Sequence, residues 1–370
     1  MQRQVATQRP VGRRFLALIG SLMLVAVLAS CGDEDADEAS VETEPAGQAV
    51  DETEPVETDA AEDAGASDGE TGGDAAAEGV GPTMEHDFGS TTMPVAPSRI
   101  VALDEAAALD LLAIGVVPMM SFAPWGSAIT QDLLEDNGVE VVPVGTSGAG
   151  MEAVLAEEPD LIVMTAAGDA SLYEQVNNEI PVLAVPFTFE SWEDKLAWLG
   201  EAFGRSEHTD AVAGVLQARL DGMQEMLAGE SISVSVLYEW GGFFASSNGD
   251  GASTPLLLSA GFDVPEPQKD KPGVPYNALS EELLAGQDAD IIAIYDGGEY
   301  DFDAVTSKPG FAQLQGEEIA VNGEMWFNSA PFATFWIIRD LEVLAAGDLS
   351  ALAVAADASS LFDEYENLVN

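Results

Sequence analysis

The sequence predicts an α/β protein of two lobes. Each lobe is a mostly parallel sheet covered by helices, and one long helix joins them beside a ligand cleft. Three observations carry this. Short β-rich runs alternate with helical stretches between residues 100 and 185, the rhythm of parallel strands joined through helices. The rhythm stops over residues 191–229, where apolar residues recur only at helical spacing. It then resumes, and 370 residues are ample for two such lobes.

The amino terminus precedes this fold and differs from it. Arg3, Arg9, Arg13 and Arg14 lead into an apolar run over 15–29. A spanning helix needs about 20 apolar residues, so residues 1–30 read as an export signal rather than a permanent anchor. The run ends in Leu28-Ala29-Ser30-Cys31, with the only Cys of the chain. This resembles a bacterial lipoprotein lipobox, which implies cleavage before Cys31 and lipidation on it. Arg13-Arg14-Phe15-Leu16 resembles a twin-arginine signal with altered spacing, so the export route stays open. Residues 31–82 follow as a tether. Positions 33–80 hold 18 acidic residues, no Lys or Arg, and no apolar period. Such a segment lacks the apolar surface to offset its ordering entropy.

The folded part, 83–370, keeps 48 acidic and eight basic residues. A charge this negative excludes a general nucleic-acid binder and docking on anionic headgroups. It fits a saline exterior, where screening is short-ranged. One Cys and two His exclude a disulfide framework, a structural zinc site and a Cys/His nucleophile pair.

Taken in order, 100–103 reads as a strand and 105–114 as a helix closed by Gly115. Strands follow at 116–122 and 139–144, with a helix at 130–137 between them. A short helix at 151–157 stops at Glu158-Pro159, and strands at 160–165 and 181–185 complete the first lobe, residues 83–190. Over 191–229, Trp192, Leu196, Leu199 and Phe203, then Val212, Val215, Leu216, Leu220, Met223 and Leu227, predict one long bridging helix or two nearly collinear ones, with a pair of antiparallel packing helices as the alternative. The second lobe, 230–370, opens with strands at 232–238 and 243–246. A helix at 254–260 stops at Gly261. Ser280 reads as the N-cap of a helix over 280–285. A strand at 290–295 comes next, then a hairpin around Asn322-Gly323, a closing helix at 332–344, and a terminal helix within 349–370.

Several segments together resemble the iron-siderophore and cobalamin substrate-binding proteins of ABC importers. They are Arg99-Ile100-Val101-Ala102-Leu103 with Leu111-Leu112-Ala113-Ile114-Gly115-Val116, and Glu152-Ala153-Val154-Leu155 with Glu158-Pro159-Asp160-Leu161-Ile162-Val163. In the second half they are Thr254-Pro255-Leu256-Leu257-Leu258 with Ala260-Gly261-Phe262, and Leu279-Ser280 with Glu282-Leu283-Leu284 and Ala289-Asp290-Ile291-Ile292. The resemblance covers residues 83–345. It implies two Rossmann-like lobes that close little, a monomer without catalytic activity or resident cofactor, and capture of a ferric siderophore outside the cell membrane. It implies delivery to a permease and its ATPase, with Glu152 and Glu282 pairing with permease arginines.

Ligands of open α/β sheets bind beyond the carboxyl ends of the strands. That rule selects Trp125, Thr165, Tyr238, Trp240, Phe243, Tyr295, Trp326 and Phe327, with Asp104, Glu105, Glu239 and Asp296 facing a positive ligand. Arg99, Arg205, Arg219 and Arg339 lie outside these loops, so the expected ligand is a neutral or cationic hydroxamate chelate rather than an anionic one. Cobalamin and haem are the alternatives, with Tyr238 or Tyr295 as haem ligands. A lipid-anchored enzyme or a scaffold fits less well. With only two His, both poorly placed, a Ser-His-acid triad does not fit, and no glycine-rich phosphate loop appears.

Overall fold

The computed structural model describes residues 81–369 except 146, 147, 149 and 167–169. The signal, Cys31 and the tether up to residue 80 lie outside the described residues. Among the described residues no helix is long and apolar enough to cross a membrane.

An antiparallel pair, β1 (Thr83–His86) and β2 (Gly89–Thr92), leads the chain. Thr91 Oγ1 donates to the Val182 carbonyl at 2.6 Å and pins this pair to the first lobe. That lobe runs through β3 (Ile100–Ala102), α1 (Glu105–Ala113), β4 (Met120–Ala123), α2 (Ala128–Asp136) and β5 (Glu140–Pro143). It continues through α3 (Met151–Ala156), β6 (Leu161–Thr165), α4 (Ala170–Val176) and β7 (Val182–Val185). The sheet order is β5-β4-β3-β6-β7, parallel throughout. Every residue of β4, β6 and β7 is buried, as both faces of a helix-covered parallel sheet require.

The joining segment is not a single rod. α5 (Trp192–Ala202) ends at Phe203, Gly204 turns with φ +62°, and α6 (Ser206–Met226) begins anew. A Cβ on Gly200 would fall 2.1 Å from Thr209 Oγ1. In a continuous helix these residues would be about 13 Å apart, so the chain doubles back and α5 packs on α6. Helical periodicity survives such a break, and for that reason the sequence reads as one long helix. The bridge proper is α6, about 30 Å long at 1.5 Å per residue. At its start Arg205 donates to the Gly115 carbonyl of the first lobe, and near its end Gln224 lies against Gly261 of the second.

The second lobe contains β8 (Val234–Trp240), β9 (Phe243–Ser247), α7 (Ser253–Ser259) and β10 (Tyr276–Ala278). It also contains β11 (Ile291–Asp296), α8 (Phe302–Thr306), β12 (Glu317–Asn322) and α9 (Gly323–Phe327). Its order is β10-β9-β8-β11-β12. β8, β11 and β12 are parallel, β9 is antiparallel to β8, and β10 to β9. Two expectations fail here. The Asn322-Gly323 hairpin does not form, because Asn322 keeps φ −66° and its Oδ1 accepts the Met325 amide at 3.0 Å, starting α9. Asn serves turns and N-caps alike. Residues Glu281–Gln287 form a 3-10 helix, and Ser280 donates to Glu282 at 3.1 Å rather than capping it.

The last two helices return to the first lobe. α10 (Pro331–Ala346) packs on α1, α5, α6 and α7. α11 (Ala358–Glu366) packs on α2. Tyr365 OH donates to the Ala113 carbonyl at 2.9 Å. Residues 230–370 are therefore not all second lobe. One apolar cluster includes Leu109 and Leu133 of the first lobe, Leu216 of α6, Phe335 and Trp336 of α10, and Tyr238 and Tyr295 of the second lobe.

A buried ion pair crosses this core, Lys195 Nζ to Asp110 Oδ1 at 2.9 Å, with Ser329 Oγ 3.1 Å from the same nitrogen. Burial raises the Asp110 pKa, and the Lys195 ammonium pulls it back. Removing one partner of such a pair costs about 3–5 kcal/mol, whereas an apolar replacement of both is near neutral. Lys195→Met should therefore lower denaturant stability by that amount, and adding Asp110→Leu should recover most of it. A loss under about 1 kcal/mol for the single change would contradict this account.

Candidate functional site

Each sheet reverses its winding direction once, between β3 and β6 in the first lobe and between β8 and β11 in the second. Such switch points open a crevice at the strands' carboxyl ends.

In the first lobe that crevice is built by two carboxylates. Asp104 caps α1 by accepting from the Ala107 amide at 2.8 Å, while its other oxygen accepts from the Thr165 amide at 2.8 Å. Burial pushes Asp104 up to about 6 despite those amides. Glu105 accepts from the Trp125 amide at 3.1 Å and the Ser127 amide at 3.2 Å, and burial raises its pKa too. These bonds set the loop that presents Trp125.

The second lobe's crevice is aromatic. Tyr238, on β8, and Tyr295, on β11, stack at 4.8 Å with planes 8° apart. Tyr300 stands edge-on to both, at 5.9 and 5.3 Å, and Phe327 meets Tyr238 at 5.8 Å. Burial raises all three phenols well above their usual range, so they are protonated at neutral pH. Tyr295 OH donates to the Trp326 carbonyl at 2.9 Å. Tyr238 OH is buried without a hydrogen-bond partner among the described residues.

The structure brings the selected residues to these two crevices in unequal states. Trp125 is 45% exposed, Trp240 55% and Phe243 37%; together with Phe187, at 42%, they are the exposed aromatic side chains among the described residues. All four stand at carboxyl-end loops of the two sheets, where the β8–β9 turn carries Trp240 and Phe243. Phe327 is half-buried. Thr165, Tyr238 and Tyr295 are buried beneath the surface. Trp326 is a core residue whose indole donates to Asp340 Oδ2 at 2.8 Å, so it does not line the crevice. The expected hairpin would have exposed it, and the helix that forms instead turns it inward.

Three of the four acids expected to face a cation are consumed by backbone amides: Asp104, Glu105, and Glu239, which accepts from Gly242. Asp296 remains exposed, with Glu299 and Asp301 beside it. Arg99 donates to the carbonyls of Glu157 and Glu158 at the opposite end of the sheet. Arg219 forks onto Glu342 at 2.7 and 2.6 Å. Among the described residues no group of three or more His, Cys, Asp or Glu could hold a metal ion. Tyr300 and Glu324 escaped the sequence reading. Tyr300 lies past a strand end in an acidic, glycine-rich loop, and Glu324 was read within the hairpin.

The two lobes share a further device. Asp160 accepts from the Ser98 amide at 2.8 Å and hydroxyl at 2.9 Å, as Asp290 does from Ser233 at 2.8 and 2.7 Å. Each Asp precedes the strand across the switch point, β6 or β11, and ties it to the residues just ahead of the lobe's first parallel strand, β3 or β8. Counting back eight residues from each reaches Glu152 and Glu282. Both are exposed, and Val154 and Leu284, two further on, are both fully buried.

Comparison with known proteins places these features. Residues 100–316 match the family model described as periplasmic binding protein. The chain is 26% identical over 219 residues to the probable siderophore-binding lipoprotein YfiY of Bacillus subtilis, covering 57% of this chain and 67% of that protein. It is 22% identical over 287 residues to the ferric enterobactin-binding periplasmic protein FepB of Escherichia coli, covering 69% and 88%. Among solved structures, Staphylococcus aureus SirA complexed with staphyloferrin B aligns with a TM-score of 0.59 at 18% identity, covering 72% of this chain and 98% of its own. A periplasmic solute binding protein from Mycobacterium smegmatis aligns at 0.58 and 23% identity, covering 72% and 98%. These structural likenesses bear on the fold of the two lobes.

The buried acids give this fold a pH dependence. Asp104 and Asp340 both titrate at about 6, above the ordinary 3.8, chiefly through burial. The native state then holds these protons more tightly than the unfolded chain. Their contribution is fully present below about pH 4 and is lost as pH rises through 6. Asp290, lowered by its Ser233 bonds, acts in the opposite sense below 3.8, and His86 and His208, lowered by burial, act so below 6.5 with shifts smaller than those of the two acids. The thermal midpoint should fall between about pH 4.5 and 6.5. In about 1 M salt, where surface repulsion is screened, part of that slope should persist; a flat profile there would refute the assignment.

Proposed function

Because the chain belongs to the periplasmic binding protein family, we propose that it captures a ferric siderophore outside the cell membrane and hands it to an ABC permease and its ATPase. Extracytoplasmic placement follows the family and the export signal. Cys31 serves as the lipid anchor, holding a monomer to the outer face of the membrane. The observation that carries the ligand assignment is the gathering of every exposed aromatic ring among the described residues at the carboxyl-end loops of the two sheets. Trp125 and Trp240 supply broad apolar faces for a bulky amphipathic chelate, with Phe243 and Phe327 beside them. Thr165, Tyr238 and Tyr295 support those walls from beneath.

The charge around the crevice supports a neutral or cationic hydroxamate chelate. The guanidinium groups of Arg99, Arg205 and Arg219 are engaged elsewhere, while Asp296, Glu299 and Asp301 stay exposed. An anionic chelate would meet negative potential with little compensation. Haem loses its candidate axial ligands, since Tyr238 and Tyr295 are buried against each other.

Glu152 and Glu282 form the permease-docking pair. Their matching offsets from Asp160 and Asp290 support this, as equivalent carboxylates on equivalent elements suit two arginines of a two-fold partner. Glu282 borders a shallow cavity of about 250 Å³ with exposed Leu283.

Two measurements test the reading. A ferric trihydroxamate should quench the tryptophan fluorescence of the Cys31→Ser chain with Kd below about 1 µM. Trp240→Ala should weaken it about fivefold, the worth of one ring–cation contact. Ferric catecholates and citrate should bind more weakly, and equal affinity for them would remove the hydroxamate preference. In host cells, Glu152→Ala with Glu282→Ala should abolish uptake and leave chelate affinity unchanged. Uptake that survives the double change rules the docking pair out.

A further inference from the structure

One side chain reaches across the crevice. Glu324, in the first turn of α9, places Oε2 3.1 Å from Ser127 Oγ and 3.2 Å from the Ile129 amide nitrogen, both at the start of α2 in the opposite lobe. Ser127 and Ile129 donate, and the carboxylate accepts. The first amides of a helix have no partner within it, and they carry the positive end of its dipole. A carboxylate delivered by the other lobe satisfies both.

The contact joins two ligand-facing loops. On the first-lobe side, Glu105 holds the Trp125 and Ser127 amides. Residues 125–129 are thus gripped by Glu105 from their own lobe and by Glu324 from the other. On the second-lobe side, Glu324 lies over Gly298, where a Cβ would fall 2.3 Å from Oε1 and where φ is +61°. The Tyr300 ring rests on Gly323, where a Cβ would fall 2.4 Å from it. Both glycines are required by these approaches. Glu105 links Trp125 to Ser127, Ser127 bonds Glu324, and Glu324 lies against Gly298 while Tyr300 rests on the neighbouring Gly323.

We propose that Glu324 is a positioning residue for ligand capture, an interlobe strap that sets the width of the crevice and the attitude of Trp125 by capping a helix of the opposite lobe. The proposal rests on reading the crevice as the ligand site. The apolar core joins the lobes behind the sheets and resists separation, but apolar packing is non-directional and permits a small pivot. Glu324 acts at the strands' carboxyl ends, on the rim of that core, where its neighbours Met325 and Trp326 and its partner Ile129 are buried. Its bonds are directional and charge-assisted, so they hold one spacing.

Hydrogen exchange measured by mass spectrometry on the full chain tests this without ligand. Glu324→Ala should speed exchange over residues 126–136 about tenfold, and Glu324→Gln should give an intermediate value, because the amide oxygen still accepts but carries no charge. The first-lobe strand at 161–165 should not change. Faster exchange confined to 317–330 would mean that Glu324 serves only its own lobe, and would overturn the proposal. Ferrioxamine B, a cationic ferric trihydroxamate, is the probe for the ligand arm. Glu324→Ala and Ser127→Ala should each weaken its binding about tenfold, and the double variant should be no weaker than the worse single one. Additive losses would overturn the strap. If the unaltered chain binds no ferric hydroxamate, the proposed function fails, and the exchange result decides the strap alone.

Discussion

The structure depends on an apolar core that does not stop at the lobe boundary. α10 is almost wholly buried, and its Phe332, Phe335, Trp336 and Ile337 side chains are shared between α6, α11 and the helices of both lobes. Two sheets joined only by α6 could swing about it. With α10 wedged between them and α5 folded back on α6, a swing would have to open a close-packed interior. The crevice is therefore bounded by surfaces whose separation is largely set before any ligand arrives. Preorganisation of that kind lowers the ordering cost of binding.

The second organising feature is how an acidic chain deals with buried carboxylates. Bases are scarce, and backbone amides take their place. Asp104 bonds two amides, and Asp340 bonds one amide and the Trp326 indole. Glu105 bonds the amides of a loop. Asp160 and Asp290 bond the residue ahead of a strand. Among the described residues only Asp110 takes a buried cation. Amide donors carry no charge to be screened, so this scaffolding persists at high ionic strength, whereas exposed ion pairs would weaken.

Much of this was legible in the sequence. Strands with every residue buried, such as Leu161–Thr165, read as unbroken apolar runs, and helix stops at Gly115 and Gly261 fall where φ is positive. The carboxyl-end rule located Trp125, Trp240 and Phe243 at the crevice because it depends on topology alone. What failed depends on three-dimensional partners. The break at Phe203–Arg205 preserves the apolar period, so a fold-back and a straight rod look alike. Asn322-Gly323 satisfies a hairpin turn and a helix cap equally, and the choice turned Trp326 inward. Asp104, Glu105 and Glu239 were read as free charge, since the amides they hold lie up to 61 residues away in the chain.

The return of α11 onto α2 has a consequence for biogenesis. Chain synthesis runs from the amino terminus, and domains tend to fold as they emerge. Here the earlier lobe stays incomplete until Phe362 and Tyr365, with Tyr365 made 252 residues after Ala113, close over Phe332 and the Ala113 carbonyl. A nascent polypeptide lacking them exposes the apolar flank of α1 and α10. Translation thus delivers an unfinished first half, and maturation waits for α11.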